Sequence, residues 1–163
     1  MSLIPPGLKI QQLPPYLSAI PCSILLILLL AAASSKAAPD PISQIRAVLD
    51  AQAAAWNRGD LDGYMNGYAR DAATEFMGSD SLTRGWKTVR DRYAKKYSNR
   101  EKMGRLTFSE VKITPVSLDA ALVTGRWKLT RKSDTPHGRF TLLFRQRSEG
   151  WRIVHDHSST AGE

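Results

Sequence analysis

The sequence predicts an α+β domain in which helices come first and an antiparallel sheet comes last. In the first part of the domain, apolar residues recur every three or four positions, as they do along one side of a helix. From Gly104 the period changes to two, which is typical of strands that bury one face. Helices that precede a four-strand meander must cover one of its faces. We therefore expect a curved antiparallel sheet, covered by three N-terminal helices, that forms a cone with a pocket inside.

Residues 1–38 are predicted to be a signal peptide or leader outside the domain. Residues 23–33 form an uncharged apolar run followed by small residues. The run suits a signal peptide and is shorter than the ~20 residues that a spanning helix needs. We expect cleavage after Ala37 or Ala33 and export to the periplasm or the medium. Because Lys9 is the only basic residue before the run, an uncleaved leader that anchors the protein in a membrane is the alternative.

The composition of residues 39–163 limits how the fold can be stabilised but does not identify a partner. Residues 39–163 carry 21 Lys and Arg and 15 Asp and Glu, so the net charge of +6 favours attraction to anions without specifying a partner. Cys22 is the only cysteine, and it precedes the apolar run. A cleaved chain therefore cannot depend on disulfides, and its core must stabilise the fold.

Capping residues predict where the helices begin and end. Asp40 and Pro41 suit the N-cap and the first position of helix one, and Gly59 suits the left-handed position after its end. Asp60 caps a shorter second helix, and a third follows Gly85. The apolar stripe of the first helix is Ile42, Ile45, Leu49, Ala53 and Trp56.

Alternating apolar residues predict the strands. A short strand spans residues 71–77, before the third helix. Four further strands are predicted at residues 106–115, 120–131, 138–147 and 151–158. The predicted domain covers residues 39–159, and residues 160–163 form a tail.

The last strand carries the most distinctive side chains. Simple alternation places Trp151, Ile153, His155 and His157 on one face and Asp156 on the other. We therefore expect both imidazoles to face the inside of the cone.

Three segments carry a resemblance to a known family. The junction Trp56-Asn57-Arg58-Gly59-Asp60, the entry Arg84-Gly85-Trp86 and the ending Gly150-Trp151-Arg152-Ile153-Val154-His155-Asp156-His157-Ser158 resemble the nuclear transport factor 2-like superfamily. Within it, the chain is most similar to SnoaL-like bacterial proteins of unassigned function. The association domain of calcium/calmodulin-dependent protein kinase has a similar ending. The resemblance covers about residues 41–159. It implies a cystatin-like roll, a pocket inside the cone and a homodimer formed through the sheet.

The resemblance does not imply one chemistry, since the superfamily contains enzymes and non-catalytic modules. Ketosteroid isomerase is similar to this chain around residues 68–76. However, Phe76 stands where its general-base Asp would be, and Ala51 where its oxyanion-hole Tyr would be. At these two positions the chain therefore lacks the general base and the oxyanion-hole donor that the isomerase mechanism needs.

His155 and His157 are the candidate catalytic residues. An imidazole titrates near neutral pH, so either residue could act as a general acid or base. The alternatives are contact with a ligand and a purely structural hydrogen bond. The pair lacks the third ligand that a metal site needs, so we expect no metal.

The candidate ligand-binding residues combine these histidines with inward-facing aromatic side chains. An aromatic at helical or strand spacing belongs either to the core or to a pocket wall. The predicted set is Trp56, Tyr64, Thr74, Phe76, Tyr93, Trp127, His155 and His157.

Other partner classes are not supported by the sequence. The basic residues between 90 and 105 are interrupted by Asp91 and Glu101, which favours a solvated helix face over a nucleic-acid surface. There is no Gly-rich phosphate loop and no Gly-x-Ser-x-Gly elbow, so we expect no cofactor. We expect no membrane partner unless the leader is retained.

Three functions remain open at this point. The first is an exported domain that binds a small, mainly apolar molecule in its cone and self-associates. The second is a small-molecule isomerase, cyclase, dehydratase or hydrolase that uses a pocket His with Tyr64 or Tyr93. The third is a pure dimerisation module whose cone is filled by side chains. Cavity volume separates the third function from the other two.

Overall fold

The structure is a computed structural model, and it describes residues 40–78 and 80–161. The predicted leader over residues 1–38 lies outside the described residues. Within them, no helix has the length and apolar character that crossing a membrane requires.

The described residues form helices, two short strands and a four-strand meander in the predicted order. The elements are α1 (Pro41–Asn57), α2 (Leu61–Met65), β1 (Glu75–Met77), β2 (Leu82–Arg84), α3 (Trp86–Lys96), α4 (Arg100–Met103), β3 (Arg105–Pro115), β4 (Ala120–Thr130), β5 (His137–Arg147) and β6 (Gly150–Ser158). The α+β prediction is confirmed. Strand β2 and helix α4 are additions to it, and each is too short to give a periodic signal.

The predicted capping residues lie at the ends of the first two helices, as expected. The Asp40 side chain accepts hydrogen bonds from the backbone N–H groups of Ile42 and Ser43 at the start of α1. Asp60 accepts one from Gly63, at 2.7 Å, at the start of α2. Gly59 between the two helices has a φ of +85°, which favours glycine. The turn between α1 and α2 is therefore fixed locally by side-chain chemistry.

The sheet is curved and open, with strand order β2-β1-β6-β5-β4-β3. Strands β3 to β6 form the predicted antiparallel meander. Strand β1 adds to β6 in parallel, with Phe76 opposite Asp156, so the sheet is mixed and not purely antiparallel. A parallel pair needs a long connection, and here it contains β2, α3, α4 and the first three strands of the meander. Local periodicity carries no information about such a distant pairing.

The core packs between α1 and the sheet. Ile45 and Leu49 of α1 are at most 2% exposed, as are Val123, Phe144 and Ile153 of the sheet. Each fully buried side chain of this kind contributes about 1.5–3 kcal/mol. This packing holds the helices over one face of the sheet.

Two irregularities interrupt the meander. In β3 the register shifts between Ser109 and Lys112, and Glu110 has a φ of +52°. In β6, Ile153 lies opposite Phe144 but His155 lies opposite Leu143, so Val154 is an extra residue. A bulge of this kind bends the strand and shifts the alternation of side chains by one residue.

Candidate functional site

The bulge at Val154 decides which side chains of β6 face the helices. Trp151 and Ile153, before the bulge, are buried against the core. After it the inward residue is Asp156, which is only 3% exposed. The prediction that His155 and His157 face the inside of the cone is therefore wrong, because one extra residue reverses the alternation.

His155 lies on the outer face of the sheet. Its Nδ1 atom is 3.1 Å from Oε2 of Glu75, and Oε1 of Glu75 accepts a 2.6 Å hydrogen bond from Arg84. The bond from Arg84, followed by that from His155, lowers the pKa of the Glu75 carboxyl. His157 is exposed, and neither histidine lines the cavity. Their catalytic role stays a prediction that the geometry of the cavity does not support.

A cavity of about 120 Å³ lies inside the cone. A single water needs roughly 10–15 Å³ by this kind of measure, so the cavity has room for a small ligand. This volume argues against a cone filled entirely by side chains. All five predicted aromatic residues line it: Trp56, Tyr64, Phe76, Tyr93 and Trp127.

Thr74 is, with His155 and His157, one of the predicted ligand-binding residues that lie outside the cavity wall. Its side chain is buried, and its hydroxyl donates a 2.7 Å hydrogen bond to the carbonyl of Ala69. It does not line the cavity. Its placement in the pocket wall was therefore wrong, because the hydroxyl closes a local turn.

One polar part of the cavity wall is a chain of buried hydroxyl groups that ends on a carboxyl. Asp156 accepts hydrogen bonds from Tyr68, at 2.6 Å, and from Ser158, at 2.7 Å. The hydroxyl of Tyr93 lies 3.3 Å from that of Tyr68 and 3.5 Å from that of Tyr64, so these two contacts are weaker. We call Tyr64, Tyr68, Tyr93 and Asp156 the tyrosine–aspartate network.

Burial sets the protonation of this network. It raises the pKa of Asp156, even though the hydrogen bonds from Tyr68 and Ser158 act in the opposite direction. Burial also raises the pKa of all three tyrosines, with the charge of Asp156 adding to the effect. The tyrosines therefore remain hydrogen-bond donors. The carboxyl of Asp156 holds its proton to higher pH than an exposed one does.

Backbone hydrogen bonds position Tyr68 beside β6. The N–H of Ala69 donates to the carbonyl of Ile153 at 2.9 Å, and the N–H of Ile153 donates to the carbonyl of Gly67 at 2.9 Å. Tyr68 and Ile153 thereby form a short parallel bridge. This bridge places Tyr68 on the inner side of the strand, where its hydroxyl reaches the carboxyl of Asp156.

Two basic side chains of α3, Arg92 and Lys96, also line the cavity. The guanidinium carbon of Arg92 lies 4.0 Å from the centre of the Phe76 ring. The ammonium of Lys96 lies 5.5 Å from the centre of the Tyr97 ring. We call Arg92 and Lys96 the basic rim.

Sequence reasoning missed several of these groups. Tyr68 was not among the predicted site residues. Asp156 was predicted on the outer face of β6, and Arg92 and Lys96 belonged to a basic run predicted to be a solvated helix face. No local sequence signal marks the bulge that turns Asp156 inward. Within residues 40–78 and 80–161, no three His, Cys, Asp or Glu side chains are grouped so that they could hold a metal ion.

The comparison with known families agrees with this architecture. Residues 45–163 match the sequence model of the SnoaL-like domain. This chain belongs to the SnoaL-like domain family. None of the curated proteins matches the sequence of this SnoaL-like protein.

Solved structures similar to this SnoaL-like protein confirm the predicted fold. An NTF-2 like protein of unknown function from Shewanella oneidensis MR-1 is 40% identical, covers 74% of this chain and 99% of its own, and has a TM-score of 0.71. A ketosteroid isomerase-like protein from Erwinia carotovora atroseptica SCRI1043 is 18% identical, covers 77% of this chain and 100% of its own, and has a TM-score of 0.62. At that lower identity the similarity shows the fold alone.

Proposed function

We propose that this SnoaL-like protein binds a small, mainly apolar molecule inside the cone and holds its polar group on the tyrosine–aspartate network. The observation that carries the proposal is a cavity of about 120 Å³ with aromatic walls and a buried carboxyl of Asp156. Ligand sites usually combine apolar walls with a few convergent polar groups.

The network suits a ligand with one hydroxyl or carbonyl group. A tyrosine hydroxyl can donate to either group, and the carboxyl of Asp156 accepts from a hydroxyl or, when protonated, donates to a carbonyl. A buried polar group left without a partner costs about 1–3 kcal/mol. An analogue that lacks the polar group should therefore bind less tightly.

A neutral two-ring probe, 2-naphthol, tests the proposal by calorimetric titration. Leu142 is buried and lines the cavity, whereas Leu122 is 40% exposed on the neighbouring strand. Leu142→Phe should fill part of the cavity and weaken 2-naphthol binding at least about tenfold, a loss of ~1.4 kcal/mol. Leu122→Phe is the matched control and should leave the affinity unchanged.

Equal affinity of 2-naphthol for both variants would place the binding site elsewhere and contradict the proposal. Absence of binding to the wild-type protein at millimolar 2-naphthol would also contradict it for ligands of this class.

Acid–base catalysis is a second candidate, favoured by the carboxyl of Asp156 and the hydroxyl of Tyr68 in one cavity. The ionised carboxyl of Asp156 could take a proton from the carbon next to a ketone while a tyrosine hydroxyl stabilises the enolate oxygen. The deuterium exchange of 2-tetralone in heavy water, followed by NMR, measures this activity. We expect acceleration by the wild-type protein and none by Asp156→Asn. A wild-type rate equal to that of buffer would remove this candidate.

We also propose that the domain is exported and that it forms a homodimer. The apolar run at residues 23–33 and the small residues that follow it support export. The family resemblance supports a dimer through the sheet. Mass spectrometry of the protein secreted by its host tests cleavage after Ala37 or Ala33. Sedimentation equilibrium tests the dimer.

A further inference from the structure

The basic rim is placed so that both cations can reach one ligand group. Arg92 and Lys96 are four residues apart on α3, and residues at this spacing lie on the same helix face. Both line the cavity, with Arg92 half-buried and Lys96 exposed. The face that carries Tyr93 to the cavity therefore also carries two positive charges to its wall.

The two cations differ from Lys87 and Arg90 on the same helix. Lys87 pairs with Asp91 at 2.7 Å, and Arg90 pairs with Asp62 at 3.0 Å. Among the described residues, no carboxylate lies within ion-pair distance of the basic rim. The guanidinium of Arg92 contacts the ring of Phe76, a neutral partner that does not cancel its charge.

The remaining charges around the cavity compensate this positive charge only in part, because the carboxyl of Asp156 attracts Arg92 without forming an ion pair with it. Asp156 is the only acidic residue among those described that line the cavity, and its oxygens already accept hydrogen bonds from Tyr68 and Ser158. A third cation, Arg131, has its guanidinium carbon 6.0 Å from the centre of the Tyr97 ring, and it pairs with Asp134 at 3.4 Å. Partial burial, followed by the charges of Arg92 and Arg131, lowers the pKa of Lys96.

We infer that the ligand is an amphiphilic acid, whose apolar body packs in the cavity while its carboxylate binds Arg92 and Lys96. The inference rests on the proposed binding function and names the ligand class for that site. A guanidinium fork pairs with a carboxylate through two parallel hydrogen bonds, and an ammonium adds a further donor. An acid would thus supply the carboxylate partner that the basic rim lacks.

The test compares 2-naphthoate with its neutral isostere 2-naphthamide on the full-length protein, by calorimetric titration at neutral pH and 0.15 M salt. Charge-assisted hydrogen bonds should make the acid bind about tenfold more tightly than the amide. The double variant Arg92→Gln with Lys96→Gln should reduce this preference to less than about twofold. Arg92→Lys retains the charge and should keep part of the preference, which separates loss of charge from loss of fold.

Lys95→Gln is the matched control, because Lys95 is exposed on the same helix and does not line the cavity. It should leave the preference for the acid unchanged. Equal affinity of acid and amide for the wild-type protein would overturn the inference, and so would a preference that survives the double variant. In either outcome, binding of the amide or of 2-naphthol would leave the proposed function standing. Binding of none of the three probes would overturn both.

Discussion

The two faces of the sheet at β6 hold carboxyl groups in opposite environments, Asp156 of β6 on the inner face and Glu75 of the neighbouring β1 on the outer face. On the inner face, Asp156 is 3% exposed and bonded to Tyr68. On the outer face, the His155 side chain is 32% exposed and bonded to Glu75, whose side chain is 26% exposed. Burial raises the pKa of the inner carboxyl, whereas hydrogen bonds from Arg84 and His155 lower that of Glu75. Position relative to the bulge, and not residue type, therefore decides which group can act in the cavity.

Deleting Val154 would test the bulge itself. Regular alternation over the shortened strand would still place Ile153 inward, His155 outward and Asp156 inward, so the two faces of β6 should keep their residues. The strand would lose the bend that the bulge gives it, and we expect a loss of about 2–3 kcal/mol in the free energy of unfolding, measured by urea denaturation. Val154→Ala keeps the strand length and should cost less. A crystal structure of the deletion variant with Asp156 in solvent would contradict the assigned register.

Tyr68→Phe removes the hydroxyl that the inner carboxyl uses. We expect a loss of about 1–3 kcal/mol in the free energy of unfolding, since Asp156 keeps only the bond from Ser158. Urea denaturation near neutral pH measures the change. A variant as stable as the wild-type protein would show that the Tyr68–Asp156 bond adds no net stability.

The pH dependence of the stability of Asp156→Asn tests the raised pKa of the inner carboxyl. The folded pKa of Asp156 is raised, so its contribution to stability is complete below its ordinary pKa and is lost as pH rises through the raised value. Asparagine does not titrate. The stability of Asp156→Asn relative to the wild-type protein should therefore increase from pH 4 to pH 8. Urea denaturation at several pH values measures it, and a constant difference would mean that the folded pKa is not raised.

The outer face should respond least to substitution. His155→Ala removes a partly exposed hydrogen bond to Glu75, and exposed pairs contribute little. We expect a small decrease in the melting temperature, below that caused by Tyr68→Phe. No measurable decrease would argue against a structural role for His155, and a larger decrease than that of Tyr68→Phe would reverse the comparison.

Local chemistry was enough to predict the frame of the molecule. Asp40, Gly59 and Asp60 fix helix ends through their own backbone contacts, and the alternation of the meander predicted its four strands. The aromatic wall followed from the same periodicity, because Trp56, Tyr93 and the others face inward wherever their helices and strands are regular.

The chemistry of the site could not be predicted in the same way. Asp156 reaches the cavity only because of an extra residue in β6, and alternation assumes that no such residue exists. Tyr68 meets it through a bridge between distant segments. The sequence predicts that Arg92 and Lys96 are solvated charges, because it does not reveal that their helix face borders a cavity. The positions of these side chains depend on contacts between distant segments, which local sequence patterns do not reveal.

A crystal structure of the protein with 2-naphthol would test the inward orientation of the tyrosine–aspartate network most directly. We predict the naphthalene rings among Trp56, Phe76 and Tyr93, with the ligand hydroxyl about 2.6–3.2 Å from Asp156 or a tyrosine of the network. A structure with His155 facing the cavity and Asp156 facing solvent, or with 2-naphthol bound outside the cone, would contradict this account.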